Sequence, residues 1–396
     1  MSGTGCPMEA GRDDRKSARL AEQFLAAEPG AERIRSFARG RQILRQPGML
    51  QAGIGAEQVK VSNPKQGSVF FLDGELHRQR RTAIARYFTP RAIATRYRGV
   101  MEASTDELIA ALRREGTARL DVISFQLAAN VAAEIIGLTD SDKRPMAERI
   151  RKTLDSGGGT YQQGPIAGAL GMAVAVWHAI QFYLFDVRPA IAARRRAPRE
   201  DVISHMVAER YSLKAMLIEC LTYGAAGMVT TREFIVMAAW HLLERDDLRA
   251  AFLARDEAGQ IALLEEILRL EPIASMLHRR AGPDLPADAE GIAAGGLYAI
   301  DVRAANTDEA ATGACPHAID PDRADRVRGA GSYLSFGDGP HRCPGAQVAL
   351  HESRIFLDRL LRVPGIRLAQ APDMRWRPEL MSYELRDAVV VCERGD

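Results

Sequence analysis

The chain has little that would mark an exported, nucleic-acid-binding or multi-domain protein. Its 396 residues include only five cysteines, Cys6, Cys220, Cys315, Cys343 and Cys392. The number is odd and no CxxC pair occurs, which argues against a disulfide framework or a compact zinc site and fits a reducing cytosol. No run of lysine or arginine exceeds the triplet Arg194, Arg195, Arg196, and the net charge is only +2, so a nucleic-acid partner is not expected. Proline, glycine and serine gather in no long tract; the short stretch from Ser156 to Gly164 reads as a loop inside one domain. The N-terminus carries charges where a signal peptide needs an apolar core, so no export is expected. One long hydrophobic run exists, from Pro165 to Phe185. It has about the length of a bilayer span, yet it contains His178 and Gln181 and holds Trp177 in its middle, so a buried helix is expected and no membrane.

What is present is helical periodicity. Thr105 to Arg114, Gln126 to Ile136, Val174 to Arg194, Ala262 to Leu270 and Ala346 to Leu361 repeat apolar residues at i, i+3, i+4 and i+7. Strand-like pieces are short: Ser68 to Leu72, Leu297 to Val302 and Ala388 to Cys392, with a hairpin-like turn around Gly295 and Gly296. The expected fold class is mainly α with small β-sheets. Residues 213 to 243 run without proline and predict a helix long enough to cross the molecule, with Gly224 and Gly227 near its middle marking a close backbone approach or a local bend.

The stretch SYLSFGDGPHRCPGAQVAL, residues 332 to 350, sets Cys343 between glycine turns and a helix. Three roles compete for it: a buried structural thiol, one ligand of a zinc site, or a thiolate held out for a single large partner. The N-H groups and dipole at a helix start favour a thiolate, and Pro344 suits the first helical position. Gly337, Gly339 and Gly345 allow the backbone close to a flat partner. Such an exposed thiolate is a good axial ligand for haem iron.

FGDGPHRCPG is similar to the haem-thiolate signature of the cytochrome P450 family. Further stretches follow in that family's order: LHRQRRTAIARYFTP, AAGMVTT, EEILR, RRA, AANTD and DPDRAD. The resemblance runs from about residue 35 to 390. It implies a P450-like fold with a long central helix, residues 1 to 34 forming a short N-terminal segment and residues 35 to 396 a single haem domain. It also implies haem b as cofactor with Cys343 on the iron, and His77, Arg81, Arg279 and His341 on the haem carboxylates, where charge-assisted bonds are needed. Glu266 and Arg269, at i and i+3, resemble the family's buried pair, completed by Arg323 rather than Arg326, although Ala324 departs from the usual aromatic. Tyr333 stands where many bacterial members have histidine.

Thr230 matches the family's catalytic threonine, which with a preceding carboxylate orders water and passes protons toward dioxygen. Here the preceding residue is Val229, which cannot relay a proton. Glu233 is four residues further on, but beside Arg232 it reads as a helix-surface residue, and Met228 as packing. The implied activity is a monooxygenase acting on a small or medium organic molecule with an apolar body, with electrons from a separate ferredoxin or similar donor and its reductase. The chain is expected to be a cytoplasmic monomer, with Arg78, Arg80 and Arg342 steering an acidic donor. Two alternatives keep the haem: an atypical oxidase or peroxygenase that couples phenols or uses peroxide, and a haem protein that binds ligands without turnover. Residues 50 to 72, 155 to 172, Ser275 to Leu277 and Met381 to Tyr383 are expected to face the substrate, with no charge constellation among them.

Overall fold

Residues 213–244 form one continuous helix through the centre of the molecule, in three stretches: α-helical Leu213–Tyr223, a π-helical segment Gly224–Val229, and α-helical Thr230–Glu244. The computed structural model describes residues 12–20, 30–53, 66–157, 165–286, 289–327, 333–377 and 381–395. Ser212 starts the central helix by accepting the N–H of Ala215. The bend anticipated at the two glycines is the π segment; a Cβ on Gly224 would come within 3.3 Å of the Ile150 side chain. Beyond Thr230 nearly every side chain is enclosed, with Ile235, Val236, Ala238 and Ala239 fully buried. Each large apolar side chain so buried contributes roughly 1.5–3 kcal/mol. Helices Leu120–Ile136 and Ala346–Leu361 pack against this stretch.

Three small sheets flank the helices. The largest orders its strands β1 (Glu32–Ile34), β5 (Leu297–Asp301), β4 (Met276–Ala281) and β2 (Met49–Ala52). A second joins β3 (Thr117–Arg119), β9 (Val389–Val391) and β6 (Arg367–Gln370), and a third pairs β7 (Asp373–Arg377) with β8 (Ser382–Arg386). The hairpin-like turn at Gly295 and Gly296 leads into β5, which lies antiparallel to β4. Ser68 to Leu72 forms no strand; Val69–Phe71 is a 3₁₀ turn.

The apolar run at Pro165 to Phe185 is helical but not buried. It continues as Pro165–Phe182, a π segment Tyr183–Val187 and Arg188–Arg196. Only 17% of its apolar window is enclosed, because one side packs on helix Lys143–Gly157 and nothing among the described residues covers the remainder. Cys220, Cys343 and Cys392 are free thiols, whereas Cys315 is disulfide-bonded. That corrects the reading of cysteine spacing, which reports neighbours along the chain and not across the fold. Of the segments expected to face the substrate, residues 54–65 and 158–164 lie outside the described residues.

Candidate functional site

A cavity of about 610 Å³ opens between the cysteine loop and the π segment of the central helix. Phe336, Cys343, Pro344 and Gly345 form one wall, and Ala226, Gly227 and Thr230 the other. The cysteine loop is held by two glycines with positive φ, Gly337 (+68°) and Gly339 (+67°). A side chain at Gly339 would place its Cβ 2.1 Å from the Leu44 carbonyl oxygen, so only glycine fits that turn. Asp338 accepts Nε–H bonds from Arg41 and Arg45 at 2.9 Å each, tying the loop to helix Phe37–Arg45. The Cys343 N–H donates to the Phe336 carbonyl at 2.8 Å and closes the loop.

The helix after the cysteine begins at Ala346, later than the expected start at Pro344, because Pro344 and Gly345 form a turn with Gly345 as the cap. The thiol therefore faces the N–H groups of Gly345 and Ala346 directly. Burial pushes the Cys343 thiol up; those two N–H groups, with Arg81 and Arg342 nearby, oppose it. A thiolate here thus needs a further positive partner on the cavity side.

The other residues assigned to the haem carboxylates form two layers. His341 and Arg279 line the cavity. His77 lies behind, stacked on His341 with ring centroids 4.0 Å apart, and Arg81 donates to the Arg342 carbonyl at the base of the cysteine loop. Arg279 is buried, donates to the His278 carbonyl at 2.7 Å, and burial pulls its guanidinium down to about 10, with Asp73 the charge that opposes this. Burial also lowers His77, to about 4, with His341 and Arg81 adding to the effect, so the ring is neutral at pH 7. A buried guanidinium lining the cavity, a neutral histidine behind His341 and a thiol on the same loop as His341 suit a flat group bearing carboxylates and a soft-ligand metal. On these grounds the residues present fit haem. Asp73 was missed in the sequence; it accepts from Gln51 N–H at 3.0 Å and its oxygen lies 3.0 Å from His341 Nε2. Its signal was its position just before helix Gly74–Ala85.

On the opposite wall, the Thr230 hydroxyl donates to the Ala226 carbonyl at 2.6 Å. Val229 lines the cavity and Met228 is fully buried. Glu233 is not on the helix surface: it is 1% exposed, pairs with Arg232, and accepts the Leu385 N–H at 2.7 Å. Burial raises its carboxyl, against the pull of Arg232 and that N–H. Glu352, from the cysteine helix, is also buried; its carboxyl is hydrogen-bonded to Thr231 and burial pushes it far up. Arg232, Glu233, Arg377 and Glu384 all reach the cavity; these charges come from outside the segments expected to face the substrate. Glu384 is 3.2 Å from Arg377 Nη1 and 3.4 Å from Arg232 Nη2. Ser382, Tyr383, Met276 and Leu277 line the same space, as expected.

Beneath the site, Glu266 accepts from Arg269 Nε at 2.7 Å and from Arg323 Nε at 2.8 Å, all three side chains being enclosed. The two arginines spend their other N–H groups on the carbonyls of Asn306, Pro316, Thr312 and Cys315. Arg326, itself exposed, pairs instead with the buried Asp320. Of the three arginines expected to steer a partner, Arg342 is exposed, Arg78 is tied to Glu75, and Arg80 sits 4.2 Å over the Tyr211 ring.

Residues 261–364 match the family model described as Cytochrome P450. Nocardicin C N-oxygenase of Nocardia uniformis subsp. tsuyamanensis is 28% identical over 78% of this chain and 76% of that protein. Erythromycin C-12 hydroxylase of Saccharopolyspora erythraea is 26% identical over 81% and 78%. The crystal structure of CalO2 superposes with a TM-score of 0.77 over 96% of this chain and 97% of that one, at 21% identity, and so speaks for the fold. With a cysteine loop and a threonine helix facing one cavity, and a separate buried Glu-Arg-Arg cluster, the family match over residues 261–364, the curated relatives and the shared fold together support a cytochrome P450 with haem b as cofactor and monooxygenase activity.

Proposed function

We propose that this enzyme oxidises a small or medium, largely apolar organic molecule with dioxygen, taking electrons from a separate ferredoxin-type donor and its reductase in the cytoplasm. The observation that carries this reading is the cavity itself, whose walls between Cys343 and Thr230 are mostly apolar and include Phe70, Phe71, Phe88, Ile218 and Leu221. Haem, when bound, supplies an iron centre that activates dioxygen for insertion of one oxygen atom into the substrate. Cys343 would supply the thiolate that holds the iron, kept in place by its loop and supported by the N–H groups of Gly345 and Ala346. Arg279 and His341 take the haem carboxylates, with His77 and Arg81 fixing them from behind. Residues 35 to 396 work as a single haem domain.

Thr230 orders water on the opposite face, its hydroxyl oxygen open to the cavity. Glu352 and Glu233 hold protons there, a task that Val229 leaves unfilled. The apolar body of the substrate fills the space beside Ile218 and Leu221, excluding bulk water, while Arg377 and Glu384 meet a polar end.

Val229 favours a second reading, in which peroxide replaces dioxygen and electrons. Single-turnover product analysis with reduced ferredoxin, beside the same assay with peroxide, separates the two. Product only with peroxide would overturn the first reading. A spectral screen of apolar compounds for displacement of water at the haem identifies the substrate class.

A further inference from the structure

Eleven large hydrophobic side chains are exposed among the described residues, and eight of them lie between Leu170 and Phe185. Leu170 is 65% exposed, Trp177 59% and Phe185 58%. No aspartate, glutamate, lysine or arginine occurs between Ala169 and Phe185. An apolar patch of this kind on a water-facing helix marks an interaction surface.

The shape of the patch and its charged border identify the occupant. At about 100° per residue, the exposed apolar positions from Leu170 to Ile180 spread over roughly 200° of the helix circumference. A partner helix covers a much narrower seam, whereas a fluid apolar medium covers any arc. The first acidic residue past the patch, Asp186, is buried and held by Arg149 at 2.6 Å. Exposed cations follow: Arg188, Arg195, Arg196 and Arg199. Arg188 continues the face of Leu170, Trp177 and Leu184, at intervals of seven, seven and four residues. A second copy is a poor occupant in either direction. Parallel helices would bring the two arginine clusters together, and antiparallel helices would set each cluster against a helix N-terminus, which is itself partly positive.

We propose that this helix rests on an anionic lipid bilayer, its apolar face in the boundary between headgroups and acyl chains and its arginines on the lipid phosphates. It lies on the membrane and does not span it, because its other side is packed on helix Lys143–Gly157. The inference is independent of the oxidation chemistry proposed above.

The test uses the haem-loaded full chain in flotation with vesicles of phosphatidylcholine, with and without phosphatidylglycerol. The protein is expected to float with the mixed vesicles and far less with phosphatidylcholine alone. Trp177 fluorescence should shift to the blue and be quenched by brominated acyl chains; Trp240 is buried and serves as the internal control. The combined variant Leu170→Gln, Trp177→Gln, Phe185→Gln should lose flotation while keeping its haem spectrum. Replacing Arg188, Arg195 or Arg199 by Gln should weaken partitioning about fivefold per residue. Absence of flotation with either vesicle would overturn the proposal, and a concentration-dependent dimer abolished by the same triple variant would assign the face to a second copy instead.

Discussion

His77 and His341 stack at 4.0 Å with their planes 29° apart, and Asp73 lies 3.0 Å from His341 Nε2 while Arg81 stands near His77. Burial, with His341 and Arg81 beside it, keeps the His77 ring neutral. In an unfolded chain it titrates near 6.5; in the fold it titrates near 4. Between those values the unfolded state binds the extra proton, so stability falls as the pH drops from 6.5 towards 4. Thermal melts of the haem protein across that range should show the decline, and His77→Gln should flatten it. An unchanged slope in the variant would assign the acid sensitivity elsewhere.

Cys343→His should abolish the strongly red-shifted carbonmonoxy Soret band that marks thiolate ligation. Retention of that band would show that another residue holds the iron.

Glu266→Ala or Arg269→Ala should cost about 3–5 kcal/mol, because each leaves a buried partner charged and unpaired. Soluble haem protein should be lost rather than slowed. Arg375→Ala is the control: its pair with Asp373 is exposed on both sides and contributes less than about 1 kcal/mol. Equal yields of all three variants, measured by haem content per purified chain, would contradict the buried cluster.

Val229→Asp should raise the fraction of reducing equivalents recovered in product, and Thr230→Ala should lower it and release peroxide, since a placed acid-base group contributes roughly 10²- to 10⁴-fold. If Glu352 already supplies the proton, Glu352→Gln will lower coupling and Val229→Asp will only weaken substrate binding by its desolvation cost. Coupling and binding measured on the same three proteins distinguish the two routes.

The sequence made the cysteine site legible because local chemistry builds it: glycine turns, a cysteine and a helix start lie within a few residues of one another. The helix Ala346–Leu361 was legible for a similar reason, its apolar stripe being long and regular. Glu233 was not, since the group that buries it is the Leu385 backbone, 152 residues away. The helix at 165 to 185 misled in the opposite way. Its composition reports a preference for apolar surroundings, and only packing reveals that the other described residues do not provide them. Asp73 joined His341 through a separation of 268 residues, which no local pattern carries.

The π segment Gly224–Val229 fixes the phase of the central helix. One extra residue in that turn rotates everything after it by about 100° relative to an uninterrupted α-helix. Ala225, Ala226 and Gly227 reach the cavity from within this phase step, while Ile235 to Ala239, beyond it, are enclosed in the core. Substitutions at its cavity-facing positions, Ala225, Ala226 and Val229, alter the lining, but loss of a single residue would return the helix to uniform winding and turn one half against the other. Those positions should therefore tolerate changes of residue, while the segment rejects changes of length. A one-residue deletion at Gly227 is expected to damage the core and the catalytic wall together, although a Cβ added at Gly227 would meet nothing within 4 Å.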